Sequence, residues 1–437
     1  GKLKIYFNNQ GVLEDEPSFV SYDYYTFSCA MGDADGDGDL DIATTGGEPY
    51  QSLDDYGKIF YNNNGTFSNL PQWTSSFKFS SLDVDFGDLD QNGKLDIAFA
   101  NEAYPNYLYT ADDLGEISNI PAWQSAENTN YMNSLDMGCI GQDQTMGIVF
   151  TGNNQLGGDG KVKLYTFSDE IPSESDAVWS STVSGYWSGV LLHDVDLDGI
   201  NDLIYGGWWL PVNIHLGNSD NFDTLSSYTS LTSSVVEAIQ VADLDKDGMQ
   251  DTLESFVVDE RDNSVFWLKY PVEFINSVVV TDFGIGSGYY CYVPGKNWLS
   301  VDKEIVANGD TVYISYQYSN KGDIVISNWD SSIGNYIFYN DTTLTTISDH
   351  RKKEFDFRVY PNPAHNEAFV NFRQMGKSNV TISLCDLNGR PVRKSYNRNL
   401  PAGKHSVALN VNGLPEGLYL VKLTQGGFTK TKKIIIQ

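Results

Sequence analysis

Four segments of the 437-residue chain place oxygen-bearing side chains at positions 1, 3, 5 and 9 and a glycine at position 6. The first, residues 33–41, reads DADGDGDLD, and the others begin at Asp88, Asp194 and Asp243. Ca²⁺ takes six to eight oxygen ligands, and glycine permits the turn that brings them together. Without a cation, two carboxylates ~4 Å apart repel by roughly 4 kcal/mol at an effective dielectric near 20. The spacing therefore predicts calcium loops, each with a backbone carbonyl ligand at position 7.

Two other interpretations of these acidic segments are weaker. A single DxDxDG stretch fits a solvated acidic turn, but four copies in register do not. Residues 243–254 also satisfy the EF-hand pattern, with Glu254 at position 12. Position 12 of the other segments is Thr44, Phe99 or Tyr205, and all four run into strand-like sequence rather than helices. We therefore interpret the EF-hand match as coincidental.

The acidic segments belong to a longer internal repeat. Their average spacing is about 52 residues once the stretch at 139–153, which has lost most of its carboxylates, is counted as a further copy. Short strands such as DIATTGG and DIAFANE follow the segments, with glycine turns and no helical periodicity. About four strands per 50 residues is the size of a propeller blade. Residues 1–350 are predicted to form a six- or seven-bladed β-propeller whose two ends share one blade. Seven blades are preferred, and the units after 275 are degenerate.

Charge divides the chain near residue 357. Residues 358–437 contain 12 Lys/Arg and 3 Asp/Glu, a net charge of +9. The whole chain has a net charge of −30, so the net charge of the first 357 residues is −39. Phosphate binding needs a cationic surface, so nucleic acid is not an expected partner of the acidic part. No apolar run approaches the length of a membrane span, and we expect no transmembrane segment. The chain starts at Gly1, and we expect any signal peptide to have been removed.

These repeats resemble FG-GAP/VCBS repeats, the calcium-binding propeller units of integrin α chains and many secreted bacterial proteins. The resemblance implies a β-propeller with about four structural calcium ions, and it implies that the unit at 139–147 is empty. The implied ligands of the first two loops are Asp33, Asp35, Asp37, Asp39 (carbonyl), Asp41, Asp88, Asp90, Asn92, Lys94 (carbonyl) and Asp96. Those of the other two are Asp194, Asp196, Asp198, Ile200 (carbonyl), Asp202, Asp243, Asp245, Asp247, Met249 (carbonyl) and Asp251.

The basic end of the chain has its own pattern. Short alternating strands and turns at Asn388-Gly389, Asn412-Gly413 and Gly426-Gly427 predict a small Ig-like β-sandwich at 358–437, after a linker at 351–357. Its motifs resemble a type A sorting domain of the type IX (Por) secretion system of Bacteroidota. The residues that carry the resemblance are Tyr360, Pro361, Asn362, Pro363, Asp386, Gly389, Leu414, Gly417 and Tyr419.

The resemblance to a sorting domain implies a route out of the cell. A signal peptide would take the chain to the periplasm, and the outer-membrane translocon and its shuttle protein would recognise the sorting domain. Export through the outer membrane would follow, usually with removal of the domain and attachment to surface lipopolysaccharide. The basic sequence around 351–357 is an exposed joint where a protease could act.

The sequence offers no catalytic constellation. It lacks GxSxG, HExxH and P-loop motifs, and its five histidines are scattered. Three tryptophans, Trp187, Trp208 and Trp209, are candidates for stacking on sugars, although packing explains most aromatics in a propeller. The preferred hypothesis is a secreted, surface-displayed, non-catalytic adhesin or interaction module. The alternatives are a polysaccharide lyase or glycoside hydrolase on the same scaffold, and a subunit of a surface gliding or adhesion complex.

Overall fold

The structure is a computed structural model of the chain. It describes all residues except 1, 10–11, 48–52, 127–130, 156, 168–170, 260, 262, 341–356, 375–377, 387–389, 394–395, 402 and 426–427. The chain divides into two compact units, Gly1–Asp349 and His350–Gln437. All 36 elements of the described residues are β-strands, so the predicted all-β class is confirmed for this part of the chain. Most of the predicted linker, residues 351–356, lies outside the described residues.

The first unit begins with two pairs of very short strands. They are β1 (Lys4–Ile5) with β4 (Phe19–Val20), and β2 (Asn8–Asn9) with β3 (Val12–Leu13). In the described part of the chain, β1 pairs with β4 alone, and no strand after residue 275 joins it. Sharing of one blade by the two ends of this unit therefore stays a prediction.

Three antiparallel sheets of similar size come next. The first contains β5 (Cys29–Gly32), β6 (Asp41–Thr44), β7 (Lys58–Phe60) and β8 (Trp73–Thr74). The second contains β9 (Ser81–Gly87), β10 (Asp96–Asn101), β11 (Tyr107–Tyr109) and β12 (Trp123–Ser125), with β16 (Glu174–Ser175) parallel to β12. The third contains β13 (Met132–Ile140), β14 (Thr145–Gly152), β15 (Val162–Phe167) and β17 (Trp179–Ser180).

The fourth sheet joins two repeats through long strands. Its order is β18 (Trp187–His193), β19 (Asp202–His215), β20 (Tyr228–Ala242), β28 (Asp323–Asn328) and β29 (Tyr336–Phe338). The first part of β20 pairs with β19, and its second part, from Val236 to Ala242, pairs with β28. One long strand therefore serves two consecutive repeats, and a large segment of chain separates it from its second partner.

That segment, residues 249–322, is called the insertion below. It forms a four-stranded sheet of β21 (Met249–Val257), β27 (Thr311–Ser319), β23 (Phe274–Val280) and β24 (Phe283–Ile285). It also forms a three-stranded sheet of β22 (Val265–Trp267), β26 (Trp298–Val301) and β25 (Tyr290–Cys291). The sequence suggested that the units after 275 were degenerate repeats, whereas all of residues 249–322 are an excursion from within one repeat.

A second repeated motif lies at the outer strands and was missed in the sequence. An aromatic residue and, two positions later, a serine recur as Phe19/Ser21, Trp73/Ser75, Trp123/Ser125, Trp179/Ser181 and Tyr228/Ser230. Each serine Oγ accepts a hydrogen bond from a backbone N–H of the preceding strand region, at 2.9–3.1 Å. The donors are Leu3, Gly57, Asn106, Val162 and Val212. The chain start is therefore built like the second half of a repeat.

Buried aromatic side chains form much of the core between these sheets. Trp123 and Tyr109 are 1% and 0% exposed, and Phe99 packs edge-on against Phe79 with ring centroids 5.2 Å apart. Full burial of one such side chain is worth about 1.5–3 kcal/mol. The insertion contributes to the same core through Val265 and Trp298, so it is packed onto the first sheets rather than held apart from them.

The second unit consists of two sheets around one core. The first has the order β30 (Phe357–Tyr360), β31 (Glu367–Gln374) and β34 (Gly403–Asn410). The second has the order β33 (Tyr396–Leu400), β32 (Ser378–Cys385), β35 (Gly417–Gln425) and β36 (Phe428–Ile436). Side chains of both sheets, among them Val370 and Val421, share one buried cluster. The Ig-like character of this unit stays a prediction.

Candidate functional site

The four acidic loops share one backbone arrangement, organised by the carboxylate at position 1. Its Oδ1 accepts a hydrogen bond from the N–H of position 5, and its Oδ2 from that of the glycine at position 6, with N···O distances of 2.9–3.2 Å. The sets are Asp33 with Asp37 and Gly38, Asp88 with Asn92 and Gly93, Asp194 with Asp198 and Gly199, and Asp243 with Asp247 and Gly248.

Position 4 is left-handed in every loop, at Gly36, Gln91, Leu197 and Lys246, with φ between 55° and 74°. Residues other than glycine pay for this conformation, so the loop geometry holds it in place. Segments far apart in the sequence therefore fold into the same turn.

A second carboxylate ties the start of each loop to a later strand. Asp41, the first residue of β6, accepts hydrogen bonds from the N–H groups of Ala34 and Asn62, each at 2.7 Å. Asp96 and Asp202 make the equivalent pairs of bonds at 2.8–2.9 Å. Position 9 therefore closes the loop and attaches it to the sheet.

In the fourth loop this role belongs to Asp323 and not to the predicted Asp251. Asp323 accepts hydrogen bonds from the N–H groups of Leu244 (3.2 Å) and Asn340 (2.9 Å). It pairs with Ala242 across the sheet, as Asp41 pairs with Gly32 in the first loop. Asp323 follows Asp243 by 80 residues, because the whole insertion lies between them.

The predicted ligands Asp251 and Met249 lie in the insertion. The exposed Asp251 accepts hydrogen bonds from the side chains of Asn276 (3.0 Å) and Gln317 (3.1 Å). The Met249 carbonyl accepts one from the side chain of Gln250 (2.9 Å). Both residues are in β21, since the chain turns away from the loop after Gly248. The predicted ligand set of the fourth loop is corrected accordingly.

Glu254, the residue that completes the EF-hand pattern, also lies in the insertion. Its carboxylate accepts hydrogen bonds from the hydroxyl of Tyr316 and from the N–H of Lys269 (3.1 Å). It therefore belongs to the packing of the insertion and not to an acidic loop.

Each loop gathers three carboxylates whose oxygens lie within 4.8 Å of one another. The groups are Asp33, Asp35 and Asp37; Asp88, Asp90 and Asp96; Asp194, Asp196 and Asp202; and Asp243, Asp245 and Asp323. Asp39, Lys94 and Ile200 occupy the predicted carbonyl position 7 of the first three loops. The geometry thus brings together most of the predicted side-chain ligands and adds one that the local sequence did not indicate.

These carboxyl groups are poorly compensated by the protein. Burial, followed by the neighbouring aspartates, raises the pKa of Asp35 to about 6, and burial raises the pKa of Asp33 to about 7 and that of Asp41 to about 9. In the described part of the chain, Asp35 Oδ1 and Asp39 Oδ1 are buried and accept no hydrogen bond. Buried anionic oxygens without donors are costly. A hard cation with oxygen ligands fits this donor set.

The insertion contacts the first, second and fourth loops. Ser300 Oγ donates to Asp33 Oδ2 (2.6 Å), and Lys303 Nζ donates to the carbonyl of Asp35 (2.7 Å). The N–H groups of Ser264 and Val265 donate to the carbonyl of Gly93 in the second loop, each at 3.0 Å. In the third loop, positions 3 to 6 are exposed. Lys321 pairs with Asp247 of the fourth loop at 2.9 Å, so a protein cation already neutralises one of its carboxylates.

The degenerate copy at 139–153 has a different connection. β13 ends at Ile140, which pairs directly with Thr145, and only residues 141–144 join the two strands. The sheet is kept, and a tight turn stands in place of the nine-residue loop.

A cavity of about 1250 Å³ lies among the repeats. Strands β5, β9, β13, β18 and β20 all contribute to its wall, together with residues 3–6 at the chain start and 293–296 of the insertion. Lys296 enters from the insertion, and its Nζ contacts Asp85 Oδ2 (2.6 Å) and Asp136 Oδ1 (2.7 Å). Burial alone would lower the pKa of Lys296, but the two carboxylates outweigh it and raise that pKa above its usual value. One ammonium group thus links the insertion to two neighbouring sheets.

The predicted tryptophans divide between core and surface. Trp187 is 1% exposed and packs edge-on against Tyr205, at 4.8 Å between ring centroids, so it is a core residue and not a sugar platform. Trp208 lines the cavity, and Trp209 beside it is 62% exposed. Trp329, which the sequence analysis missed, is 70% exposed and its ring lies 5.3 Å from that of Trp208. A lone tryptophan in a turn gives no local signal of this proximity.

In the second unit the predicted motif residues make structural contacts. The side chain of Asn362 accepts a hydrogen bond from the Ile435 N–H (2.8 Å) and donates one to the Lys433 carbonyl (3.2 Å), so it fastens the last strand. The peptide bonds before Pro361 and Pro363 are cis. Tyr419 donates to the Pro415 carbonyl at 2.9 Å. Among the other motif residues, Asp386 Oδ1 accepts a hydrogen bond from the Arg390 N–H, and the Tyr360 hydroxyl accepts one from the side chain of Asn371. Leu414 packs against the core, and Gly417 is the first residue of β35. Gly389 lies outside the described residues.

Comparison with known families finds one match in each part of the chain. Residues 358–437 match the secretion system C-terminal sorting domain, and residues 50–99 match the FG-GAP-like repeat. Both predicted resemblances are confirmed. The C-terminal unit is a type IX sorting domain, which is recognised by that secretion system and directs export through the outer membrane to the cell surface or the medium.

Comparison with individual proteins adds little. No curated protein matches the sequence. Dimeric latent PorU from Porphyromonas gingivalis is 12% identical, with 80% of this chain and 32% of that chain covered and a TM-score of 0.18. β-D-Glucuronidase from Dictyoglomus thermophilum is 13% identical, with 49% and 40% covered and a TM-score of 0.13. The chain thus spans about a third of the first protein and two fifths of the second, and such low scores say nothing about fold or function.

Among the described residues, no helix has the length and apolar character needed to cross a membrane.

Proposed function

We propose that the exported chain is a calcium-stabilised, non-catalytic interaction module displayed at the cell surface. The observation that carries the calcium part is the repeated acidic loop, in which buried carboxylates meet without enough protein donors or cations. The proposed ions are structural, since the first three loops each join the first two strands of a repeat. The carboxylate that closes each loop, which is Asp323 in the fourth, also bonds the next strand region. The proposal of an interaction module is supported by the cavity, which has the exposed Trp329 in its lining and the exposed Trp209 nearby.

We also propose that the repeats form a six-membered propeller rather than the seven preferred from the sequence. Five inner strands surround the cavity, and the half-repeat at residues 3–21 completes its wall. The insertion accounts for residues that were assigned to further blades. A propeller of this kind presents loops and a central cavity to partners while the metal loops hold the sheets together.

Differential scanning calorimetry of the full chain tests the calcium proposal. We expect calcium to raise the melting temperature of the first unit and a chelator to lower it, because bound ligand stabilises the folded state by about 2.7 kcal/mol per site at 100 times Kd. The transition of the sorting domain serves as the internal control. Magnesium at the same concentration should give a smaller shift, since it demands octahedral geometry and retains its waters. An unchanged melting temperature on chelation would contradict the proposal.

The absence of catalysis is tested separately, by incubation of the calcium-loaded chain with neutral and acidic polysaccharides. We expect no new reducing ends and no unsaturated products. Turnover that is lost on substitution of cavity residues would instead favour the lyase or hydrolase alternative.

A further inference from the structure

Four aromatic side chains lie together beside the cavity, and we call them the tryptophan cluster: Tyr186, Trp208 and Trp329, which line the cavity, and Trp209, which contacts Trp208. Tyr186 and Trp208 stack with ring centroids 4.6 Å apart, and Trp209 and Trp329 lie 5.6 and 5.3 Å from Trp208. The two inner rings therefore cover each other and form a base. The two outer rings are 62% and 70% exposed, whereas tryptophan is usually well buried in folded proteins.

The backbone holds one of these exposed rings in an uncommon conformation. Trp209 has φ of 57°, a left-handed value that bulky residues rarely adopt. Trp209 lies at a register shift between Trp208 and Leu210, and a second shift follows between Pro211 and Asn213. Strain of this kind persists only where the surroundings impose it, and it is concentrated at functional sites. The exposed position of the Trp209 indole is therefore maintained at some cost in stability.

The lining of the cavity beside the tryptophan cluster is mainly apolar, with several polar side chains set among the apolar ones. Gln155 and Gln240 supply amide groups, and Glu237 supplies a carboxylate. An apolar protein segment would leave these groups without partners. A pyranose ring matches both parts of the site, because its C–H face stacks on an indole while its hydroxyl groups bond with amides and carboxylates.

Charge at the cavity narrows the class of ligand. Its titratable side chains include four carboxylates, Asp83, Asp85, Asp136 and Glu237, against the ammonium groups of Lys4 and Lys296. Lys296 is committed to Asp85 and Asp136. Polyuronate and sulfated chains would meet net negative charge, since Lys4 is the remaining ammonium group of the described lining, against Asp83 and Glu237.

We infer that the tryptophan cluster binds an uncharged glycan, with Trp209 and Trp329 as stacking platforms and the cavity amides as hydroxyl partners. The inference rests on the proposed function as an interaction module and names its ligand class. A quaternary ammonium ligand would need an open aromatic cage, but Tyr186 and Trp208 occupy each other's faces. A glycan is therefore favoured over a cation.

Isothermal titration calorimetry of the calcium-loaded full chain tests the inference. The probes are hexasaccharides of cellulose, mannan, xylan and chitin, hexagalacturonate as an acidic glycan, and choline as a cation. We expect at least one uncharged hexasaccharide to bind, with a change in tryptophan fluorescence, and hexagalacturonate to bind at least tenfold more weakly. Trp209→Ala and Trp329→Ala should each weaken binding about tenfold. Phe283→Ala is the matched control, since Phe283 is 77% exposed but lies in the insertion, and it should leave binding unchanged.

Three results would overturn the inference. They are no binding of any uncharged hexasaccharide, tighter binding of hexagalacturonate than of the uncharged probes, and binding of choline that Trp209→Ala and Trp329→Ala weaken equally. The melting temperature with and without calcium is measured on the same samples. A normal calcium shift without glycan binding would refute the glycan site alone, whereas loss of the calcium shift would refute the proposed metal loops.

Discussion

At the scale of single residues, Asp323 shows that a residue far away in the sequence can complete an acidic loop. It holds the position in the fourth loop that Asp41, Asp96 and Asp202 hold in the others, with the same two backbone hydrogen bonds. Asp251 stands at the ninth position of the sequence pattern but bonds Asn276 and Gln317 within the insertion. The nine-residue pattern at 243–251 is therefore complete in the sequence, but its ninth residue does not lie in the folded loop.

This difference gives a paired prediction. Asp323→Asn removes one of the three charges of the fourth acidic group, so we expect the calcium affinity of that loop to fall about tenfold or more and the calcium-dependent rise in melting temperature to shrink. Asp251→Asn removes the same charge from the position that the sequence favours, and we expect no change. Calcium titration followed by calorimetry measures both variants. Equal behaviour of the two, or a larger effect of Asp251→Asn, would show that Asp323 is not part of the site.

At the scale of elements, the insertion is the feature that most changes the view of the molecule. It leaves the fourth loop after Gly248, covers the first two loops through Ser300, Lys303 and Val265, and places Lys296 in the cavity. Its cover explains why Asp33 and Asp88 are buried, while positions 3 to 6 of the third loop are open to solvent. Repeats of similar sequence therefore acquire different environments.

Lys296→Met tests the attachment of the insertion. The change leaves the carboxylates of Asp85 and Asp136 without their cation, and breaking a buried pair costs about 3–5 kcal/mol, here toward the lower end because the Lys296 side chain keeps 28% exposure. Urea denaturation of the full chain at pH 7 measures the loss. Lys303→Met is the control. In the described part of the chain, Lys303 Nζ donates its hydrogen bonds to backbone carbonyls, so we expect a smaller loss of stability.

The loss should depend on pH. Burial already raises the pKa of Asp85, Lys296 opposes that rise, and Asp136 adds to it. Without Lys296 the pKa of Asp85 in the folded state rises further above its unfolded value, so the folded variant binds more protons than the unfolded chain. Stability from such a group is present at low pH and is lost as the pH rises through the folded-state pKa. Lys296→Met should therefore cost less at pH 5 than at pH 8, and a loss that is equal at both values would argue against the ion pair.

At the scale of the whole molecule, an acidic exported part is joined to a basic sorting domain. The two compact units carry charges of −40 and +10, and the sorting domain has its own core. A unit with its own core can be recognised and removed without unfolding its neighbour. The motif residue Asn362 fastens the final strand from within the sorting domain, which gives one conspicuous part of the motif a structural role.

Removal of residues 358–437 tests the route of export in cells. We expect the truncated chain to accumulate in the periplasm, because the translocon lacks the domain that it recognises, while the full chain reaches the surface or the medium. Fractionation and surface protease treatment measure the distribution. Calcium-dependent melting of the periplasmic product is the control for its folding. Surface display of the folded, truncated chain would contradict the expected role of the domain.

The sequence by itself determined the features that local chemistry encodes. Carboxylates at fixed spacing, a glycine at position 6, alternating strand residues and the sorting motif act over a few neighbours, so the all-β class, the repeat and the route of export could be predicted. Tertiary structure decided which residues meet across long separations. Asp323 completes the fourth loop after an insertion of more than 70 residues, and Lys296 reaches Asp85 and Asp136 because that insertion packs onto earlier repeats. Trp329 lies beside Trp208, and Trp187 is buried, through the packing of the sheets. No periodicity or motif records such contacts, since they depend on the packing of sheets rather than on the order of residues.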